Sequence, residues 1–248
     1  MAEKHFHEQR KFAREYLVHH LEAHIPDFRN KTVLEVGCAE AGFLDYLQEI
    51  GINGVGIELE ENRVALAHRL TPRSEVYQGD ITDISLPATL GKRFDVVVMR
   101  DVIEHVPDRK TALHVIWNFL NPGGYALITF PPRFSPFAGH QQHAHSFLKL
   151  TPYVHLWPKF LWYGIGKLLG EEREYLDSVM HNYRIGLTIR QFEKFYRAAG
   201  FREVLREVFL LRPIFKYRMG TPIVRFPNIP FLREFLATGC EYLIQKPE

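Results

Sequence analysis

The residues best suited to hold a ligand are a glycine and a glutamate near the ends of two short apolar segments. The run Val33-Leu34-Glu35-Val36 breaks at Gly37, and a second run, residues 54–59, carries Glu58 near its end. Only glycine lets the backbone bend tightly there and approach a ligand without a Cβ in the way. In an open α/β sheet, Glu58 would face the ligand-bearing edge. A carboxylate at that edge can accept two hydrogen bonds from a ribose diol, which a neutral side chain cannot match.

The elements that must position these residues alternate between strand and helix patterns. The predicted strands are 32–37, 54–59, 75–78, 94–99 and 125–130, and the predicted helices between them are 43–50, 61–70 and 109–120. Residues 94–99 are apolar on both faces, as in a central parallel strand. The alternation therefore indicates a parallel sheet with right-handed crossovers.

The rest of the chain divides into three parts around this core. Residues 7–25 have helical spacing that ends at Pro26, so residues 1–29 are expected to form a helical cap. Residues 132–186 lose the alternation and are rich in histidine and aromatic side chains. Order resumes with a capping-box pattern at Thr188 and Gln191, and strands are predicted at 201–209 and 239–245.

Six ordered motifs carry a family resemblance. They are Leu34–Gly42, Gly56–Glu58, Gly79–Asp80, Phe94–His105, Leu120–Gly124 and Phe195–Phe201. Over residues 30–131 and 188–210 the chain resembles the class I S-adenosylmethionine-dependent methyltransferases, in particular the branch of ubiquinone-pathway and other small-molecule enzymes. This resemblance implies one domain of α/β, Rossmann-like fold. The core, residues 30–131 and 187–248, would hold a seven-stranded, mostly parallel sheet with helices on both faces and an antiparallel last strand. Residues 132–186 would be a substrate lid inserted after the fifth strand.

The resemblance also implies S-adenosyl-L-methionine as the cofactor and assigns residues to it. Glu58 would bind the ribose, Asp80 the adenine amino group, Glu35 the region of the ammonium group and Gly37 the methionine part, with Ile81 packed on the adenine ring. The full expected cofactor-binding set is Glu35, Gly37, Ala39, Glu58, Leu59, Asp80, Ile81, Arg100 and His105. Alternatives stay open: Asp80 could only form a turn, Glu35 could only orient its loop, and Glu58 could be a solvated carboxylate.

Alanine at positions 39 and 41 departs from the family, which usually has glycine there. A dinucleotide enzyme must bring its pyrophosphate against the second glycine of its fingerprint, and Ala39 would place a methyl group at that point. S-adenosylmethionine has no phosphate, so it tolerates the methyl group more easily. The substitution favours the sulfonium cofactor over a nicotinamide dinucleotide.

Histidines are the candidate catalytic residues, because an acceptor hydroxyl must lose its proton and imidazole titrates near neutrality. His140 and His143 lie in a short cluster with His145, and His105 follows the fourth predicted strand. Hydrogen-bonded lid histidines are the alternative. The spacing His-x-x-His-x-His also suits zinc, but the cluster contains no cysteine or carboxylate, so no metal site is expected.

Composition narrows the class of protein further. The net charge of +2 gives no case for a nucleic-acid partner, no run approaches a membrane span, and the N-terminus lacks the apolar core of a signal peptide. Cys38 and Cys240 are far apart and fit a reducing cytoplasm.

The aromatic segment 153–169 could pack as a lid, bind an apolar or aromatic acceptor, or touch a membrane or partner, although Pro158 and two glycines argue against one continuous amphipathic helix. A homodimer stays open.

The leading hypothesis is transfer of a methyl group to oxygen of a small molecule by in-line displacement, with nitrogen and carbon acceptors as alternatives. A nucleic-acid methyltransferase is disfavoured because Arg100-Asp-Val-Ile stands where an Asn/Asp-Pro-Pro-aromatic motif would follow the fourth strand. A nicotinamide-dependent oxidoreductase is disfavoured by Ala39. A non-catalytic cofactor-binding protein remains compatible with Glu58 and Asp80.

Overall fold

The computed structural model describes residues 2–139 and 141–248, and within them the chain forms an eight-stranded sheet. The strands are β1 (Val33–Val36), β2 (Gly54–Glu58), β3 (Glu75–Gln78), β4 (Phe94–Arg100), β5 (Leu120–Phe130), β6 (Arg202–Leu211), β7 (Val224–Arg225) and β8 (Gly239–Gln245). Their order across the sheet is β3-β2-β1-β4-β5-β8-β6-β7. The first five strands pair in parallel, whereas β8 runs antiparallel to both β5 and β6.

The Rossmann-like α/β fold expected from the resemblance is confirmed, including the antiparallel last strand. The described residues contain one strand more than the expected seven. The extra strand is β7, which has only two residues and pairs antiparallel with β6 at the sheet edge. A two-residue strand carries no periodicity of its own, so its pairing depends on the neighbouring strand and could not be predicted from the pattern.

Helices cover both faces of the sheet. They are α1 (Ala2–Phe12), α2 (Val18–His24), α3 (Gly42–Glu49), α4 (Glu61–Leu70), α5 (Leu86–Leu90), α6 (Arg109–Phe119), α7 (Lys159–Leu168), α8 (Arg173–Ile185), α9 (Ile189–Ala198), α10 (Pro213–Met219) and α11 (Leu232–Leu236). A π-helical turn, Ala13–Leu17, joins α1 to α2, so the chain is helical from residue 2 to residue 24. The predicted capping box at Thr188 and Gln191 is present at the start of α9.

Alternation along the strands divides the apolar side chains between two cores. One core lies between the sheet and the N-terminal helices with α3, and its strand residues include Val33, Val96, Val98, Leu127 and Leu243. The other lies between the opposite face and helices α6 and α9, and its strand residues include Leu34, Val97, Ala126, Ile128 and Ile244. The side chains of Glu35, Arg100 and Glu241 share the first face, because each lies two residues from a member of that core.

Residues 132–186, the insertion, have a small core of their own around Trp162, which is fully buried and donates to the Leu176 carbonyl at 3.1 Å. Pro158 immediately precedes α7, a position that needs no backbone N–H donor. A Cβ on Gly166 would come within 2.5 Å of Leu176, so this glycine lets α7 approach α8. Pro158 separates a 3₁₀ turn, Val154–Leu156, from α7, so segment 153–169 is not one continuous helix, as expected, although Gly164 and Gly166 lie inside α7. Within the described chain, no helix has the length and apolar character needed to span a membrane.

Candidate functional site

A cavity of about 690 Å³ opens at the carboxyl ends of the parallel strands. It lies beside β1, where the strand order reverses and open α/β sheets form a natural crevice. One side is built from the segments that follow β1, β2, β3 and β4. The other side is built from α1, the π-helical turn, the end of β6 and α10. The two sides therefore come from different parts of the chain.

The turn after β1 is held by Glu58 at the end of β2. Gly37 has φ of +71°, and a Cβ there would lie 2.4 Å from a methyl group of Val102, so the position requires glycine. Ala39 also adopts a positive φ, 50°, and its N–H donates to Oε2 of Glu58 at 2.8 Å. The other carboxylate oxygen accepts from the N–H groups of Leu59 at 2.9 Å and Glu60 at 3.1 Å. Glu58 is thus buried and fastens the β1 turn to β2, with its carboxylate on the cavity wall.

The segment after β3 brings a second carboxylate to the same wall. Oδ1 of Asp80 accepts from the backbone N–H and the hydroxyl of Thr82, both at 2.8 Å, which forms a local turn. Asp80 is exposed and Ile81 is buried, and both line the cavity together with Leu59. The turn considered as an alternative for Asp80 therefore exists, and it leaves the residue on the cavity wall.

Arg100 connects the cavity to a buried glutamate. Its guanidinium donates to Oε1 of Glu35 at 2.8 Å and lies 5.6 Å and 5.7 Å from the ring centres of Phe12 and Phe43. Glu35 is only 2% exposed, and this burial raises its pKa although the charge of Arg100 opposes the shift. Arg100 lines the cavity, whereas Glu35 is not among the described lining residues. The structure therefore places Glu35 where it can orient Arg100 rather than on the cavity surface.

The candidate catalytic histidines lie in different places. His105 lines the cavity from a short 3₁₀ helix, Ile103–His105, and burial lowers its pKa, as do the charges of Arg109 and His181, whereas Asp101 raises it. His143 is exposed on the insertion and is not among the residues that line the cavity. His140 lies outside the described residues.

The expected substrate lid lies away from the cavity: none of the described residues in 132–186 lines it. The insertion instead buries its large apolar side chains in its own core. That the insertion encloses the acceptor stays a prediction.

The wall opposite Glu58 and Asp80 contains residues that the sequence patterns did not single out. Its apolar members are Phe12, Leu17, Phe209, Pro213 and Ile214. Its charged members include Arg212 and Glu241, and both terminal nitrogens of Arg212 donate to the carboxylate of Asp101, which follows β4. One signal was present in the sequence: Glu241 is the only charged residue in the apolar run from Gly239 to Ile244.

Glu241 belongs to a row of polar residues that crosses four strands. In register, Arg100 pairs with Thr129, Thr129 with Glu241, and Glu241 with Glu207. The N-terminal helices cover the outer part of this row. There the Tyr16 hydroxyl donates to Glu241 at 2.9 Å, and the His20 imidazole lies 3.7 Å from Glu241 and 3.9 Å from Glu207. Burial raises the pKa of Glu241 to about 7 and lowers that of His20 to about 4.

Comparison with known proteins places this architecture in a family. Residues 6–204 match the sequence profile of a methyltransferase domain family. A probable S-adenosylmethionine-dependent methyltransferase of Mycolicibacterium smegmatis is 32% identical over 108 residues, which are 43% of this chain and 41% of the relative. The ubiquinone biosynthesis O-methyltransferase of Hydrogenovibrio crunogenus is 30% identical over 102 residues, which are 40% of this chain and 42% of the relative.

These curated relatives match over only about two fifths of their own length. The fold extends further than the sequence similarity. A solved S-adenosylmethionine-dependent methyltransferase from Mesorhizobium loti is similar with a TM-score of 0.59 and 16% identity, covering 91% of this chain and 95% of that one. That likeness shows the fold, and the profile match over most of the chain shows the family. The chain belongs to the methyltransferase domain family, and its resemblance to the S-adenosylmethionine-dependent methyltransferases is confirmed.

Proposed function

We propose that the chain transfers the methyl group of S-adenosylmethionine to a hydroxyl oxygen of a small molecule with an apolar or aromatic body. The observation that best supports this proposal is the composition of the cavity. Carboxylates that follow β2 and β3 lie on one wall, and five apolar side chains lie on the wall opposite. A cofactor and an apolar acceptor can therefore be bound side by side in one space.

The residues on the first wall suit the cofactor. The cavity volume of about 690 Å³ lies within the range of about 300–1,000 Å³ typical of small-molecule sites. Glu58 and Asp80 are hydrogen-bond acceptors for hydroxyl and amino groups. Glu58 would bind the ribose, Asp80 the adenine amino group, and Leu59 with Ile81 would pack on the adenine ring. Gly37 and Ala39 would place backbone near the methionine part, and Arg100, oriented by Glu35, would complete that end with His105.

S-adenosylmethionine, when bound, supplies a methyl group that its positively charged sulfur activates toward displacement. The protein must then hold the acceptor oxygen in line, and such positioning contributes up to about 7–11 kcal/mol. Phe12, Leu17, Phe209 and Ile214 would orient an apolar acceptor through contact, since they form one continuous part of the cavity wall.

His105 is the residue we assign as acceptor of the hydroxyl proton. Among His105 and His143, the two candidates within the described residues, only His105 lines the cavity. Its lowered pKa keeps the imidazole neutral at pH 7, which is the form that accepts a proton. Proton removal of this kind accelerates a reaction about 10²–10⁴-fold.

The test is a comparison of acceptor classes with the purified protein. S-adenosylmethionine is incubated with matched panels of small phenols, catechols and aromatic amines, and S-adenosylhomocysteine is measured by mass spectrometry. We expect turnover with the hydroxyl compounds, which His105→Asn reduces at least 100-fold even at saturating S-adenosylmethionine, whereas His143→Asn stays fully active. Methylation of amines in place of phenols would refute the oxygen assignment, and absence of cofactor binding by calorimetry would refute the proposal as a whole.

A further inference from the structure

A buried cluster of three side chains lies beside the cavity and is not needed for cofactor binding. His20 comes from α2, Glu207 from β6 and Glu241 from β8, and the register of the two strands makes the glutamates direct neighbours. One ligand-type atom from each of the three side chains lies within 4.8 Å of the other two. The folded sheet and the helix packed on it therefore bring together one imidazole and two carboxylates.

Two polar atoms of this cluster lack hydrogen-bond partners among the described residues. His20 is only 8% exposed, and neither its Nε2 atom nor Oε2 of Glu207 has a partner among the described residues. His20 Nε2 lies 3.7 Å from Oε2 of Glu241 and His20 Nδ1 lies 3.9 Å from Oε2 of Glu207, and both separations are too long for hydrogen bonds. Two ligands that each lie about 2.0–2.2 Å from one ion are separated by roughly 3–4 Å. The 3.7 Å between His20 Nε2 and Glu241 Oε2 fits two atoms that share an ion, and one ligand atom from each of the three side chains lies within 4.8 Å of the other two.

Neighbouring charges leave this arrangement in place. Arg225 pairs with Oε1 of Glu207, so the unpartnered Oε2 atom remains directed at His20. Arg212 is paired with Asp101. Tyr16 donates a neutral hydroxyl hydrogen bond to Glu241 and stacks on the His20 ring at 5.4 Å, which fixes the orientation of the imidazole.

We propose that His20, Glu207 and Glu241 bind one divalent transition-metal ion at the wall of the cavity opposite Glu58. One nitrogen and two carboxylate oxygens suit zinc, manganese or iron(II) rather than calcium or magnesium, which prefer oxygen ligands alone. Three protein ligands leave a position open for another ligand. Glu241 lines the cavity, so that open position can be reached from it.

This ion has a chemical role that rests on the proposed function. A metal ion that coordinates an acceptor hydroxyl lowers the pKa of that hydroxyl and holds the oxygen in place. Binding of the ion by the protein does not depend on this role. Failure of metal binding can therefore be distinguished from failure of the proposed methyl transfer.

The experiment measures metal binding in the absence of cofactor and acceptor. The full chain is stripped with a chelator and titrated with Zn²⁺ in a calorimeter, and Co²⁺ is added to a second sample to record its visible absorption bands. We expect one strong site per chain, with Co²⁺ bands typical of nitrogen and oxygen ligands. His20→Gln and Glu207→Gln should each weaken Zn²⁺ binding at least tenfold.

His19→Gln is the matched control, because His19 precedes His20 on α2 but is exposed. It should bind Zn²⁺ as the wild type does, and circular dichroism should show all variants folded. A wild-type protein that binds neither Zn²⁺, Mn²⁺ nor Co²⁺ would overturn the proposal without any variant. So would unchanged Zn²⁺ affinity in both folded His20 and Glu207 variants, or an equal loss in the His19 control.

Discussion

Replacement of Glu58 should separate the observed support of the β1 turn by its carboxylate from its proposed binding of the cofactor. In Glu58→Ala, three backbone N–H groups lose their acceptor. Leu59 and Glu60 are exposed, so water can replace the carboxylate there, whereas Ala39 is 4% exposed and its N–H is left unsatisfied. One buried unsatisfied donor costs about 1–3 kcal/mol, which is the expected loss in the free energy of unfolding measured with urea.

Glu58→Gln keeps the length of the side chain, and its amide oxygen can still accept from Ala39. We therefore expect most of that stability to return. The amide has only one acceptor oxygen and no charge, so it cannot accept from both ribose hydroxyls and the backbone as the carboxylate does. A hydrogen bond to a charged group contributes about 1.5–3 kcal/mol, so S-adenosylmethionine should bind about 10- to 100-fold more weakly to either variant.

Calorimetric titration of each variant with S-adenosylmethionine gives the affinity directly. The control is Glu61→Gln, which removes an exposed charge at the start of α4 three residues along the chain. It should retain wild-type affinity and stability. The ribose assignment is wrong if a folded Glu58→Gln protein binds the cofactor within twofold of the wild type. It is equally unsupported if Glu61→Gln weakens binding to the same extent.

Three further predictions concern the insertion and α9. Burial lowers the pKa of His155 to about 4, below its unfolded value of 6.5, so its contribution to stability is complete above pH 6.5 and is lost as the pH falls toward 4. The free energy of unfolding measured with urea should therefore fall by about 1–2 kcal/mol between pH 6.5 and pH 5. His155→Gln should reduce this dependence on pH. Gly166→Ala should lower the unfolding free energy by about 1–3 kcal/mol because its Cβ meets Leu176. Gly164→Ala is the control: its Cβ would have no atom within 4 Å, so it should be neutral or stabilising. Equal effects of the two substitutions would contradict the packing argument. Thr188→Ala should cost about 1 kcal/mol through loss of the capping box, measured by thermal unfolding.

Most strands of the sheet could be predicted because their signals are local. The predicted helix 61–70 and strands 75–78 and 239–245 match α4, β3 and β8 at both ends. Each is bounded by a cap, a turn or a change of hydrophobic period within a few residues. By contrast, α7 was missed because glycine and proline oppose helices on average, whereas here Gly166 is required by contact with α8, a segment that follows it in sequence.

The two walls of the cavity also differ in how far local sequence patterns could predict their residues. Gly37, Glu58 and Asp80 each end a strand whose own pattern is visible, and parallel strands bring their carboxyl ends to one edge. Phe12, Phe209 and Glu241 meet only because β8 inserts antiparallel between β5 and β6 and the N-terminal helices cover that face. No local pattern encodes that pairing. The sequence cluster of His140, His143 and His145 did not place His143 at the cavity, since proximity along a loop does not direct a side chain into a cavity.

The position of the second wall bears on what the chain methylates. Phe209, Ile214 and Glu241 lie beyond residue 204, where the match to the family profile ends, whereas Glu58 and Asp80 lie well inside it. The cofactor wall is thus built from residues of the matched region, and much of the opposite wall is built from residues outside it. Under the proposed function the acceptor contacts that opposite wall, so similarity to the profile carries information about the methyl donor and little about the acceptor. Substitutions at Phe209 or Ile214 should therefore change acceptor preference and leave S-adenosylmethionine affinity unaltered, and equal losses of both would show that the two walls do not act separately.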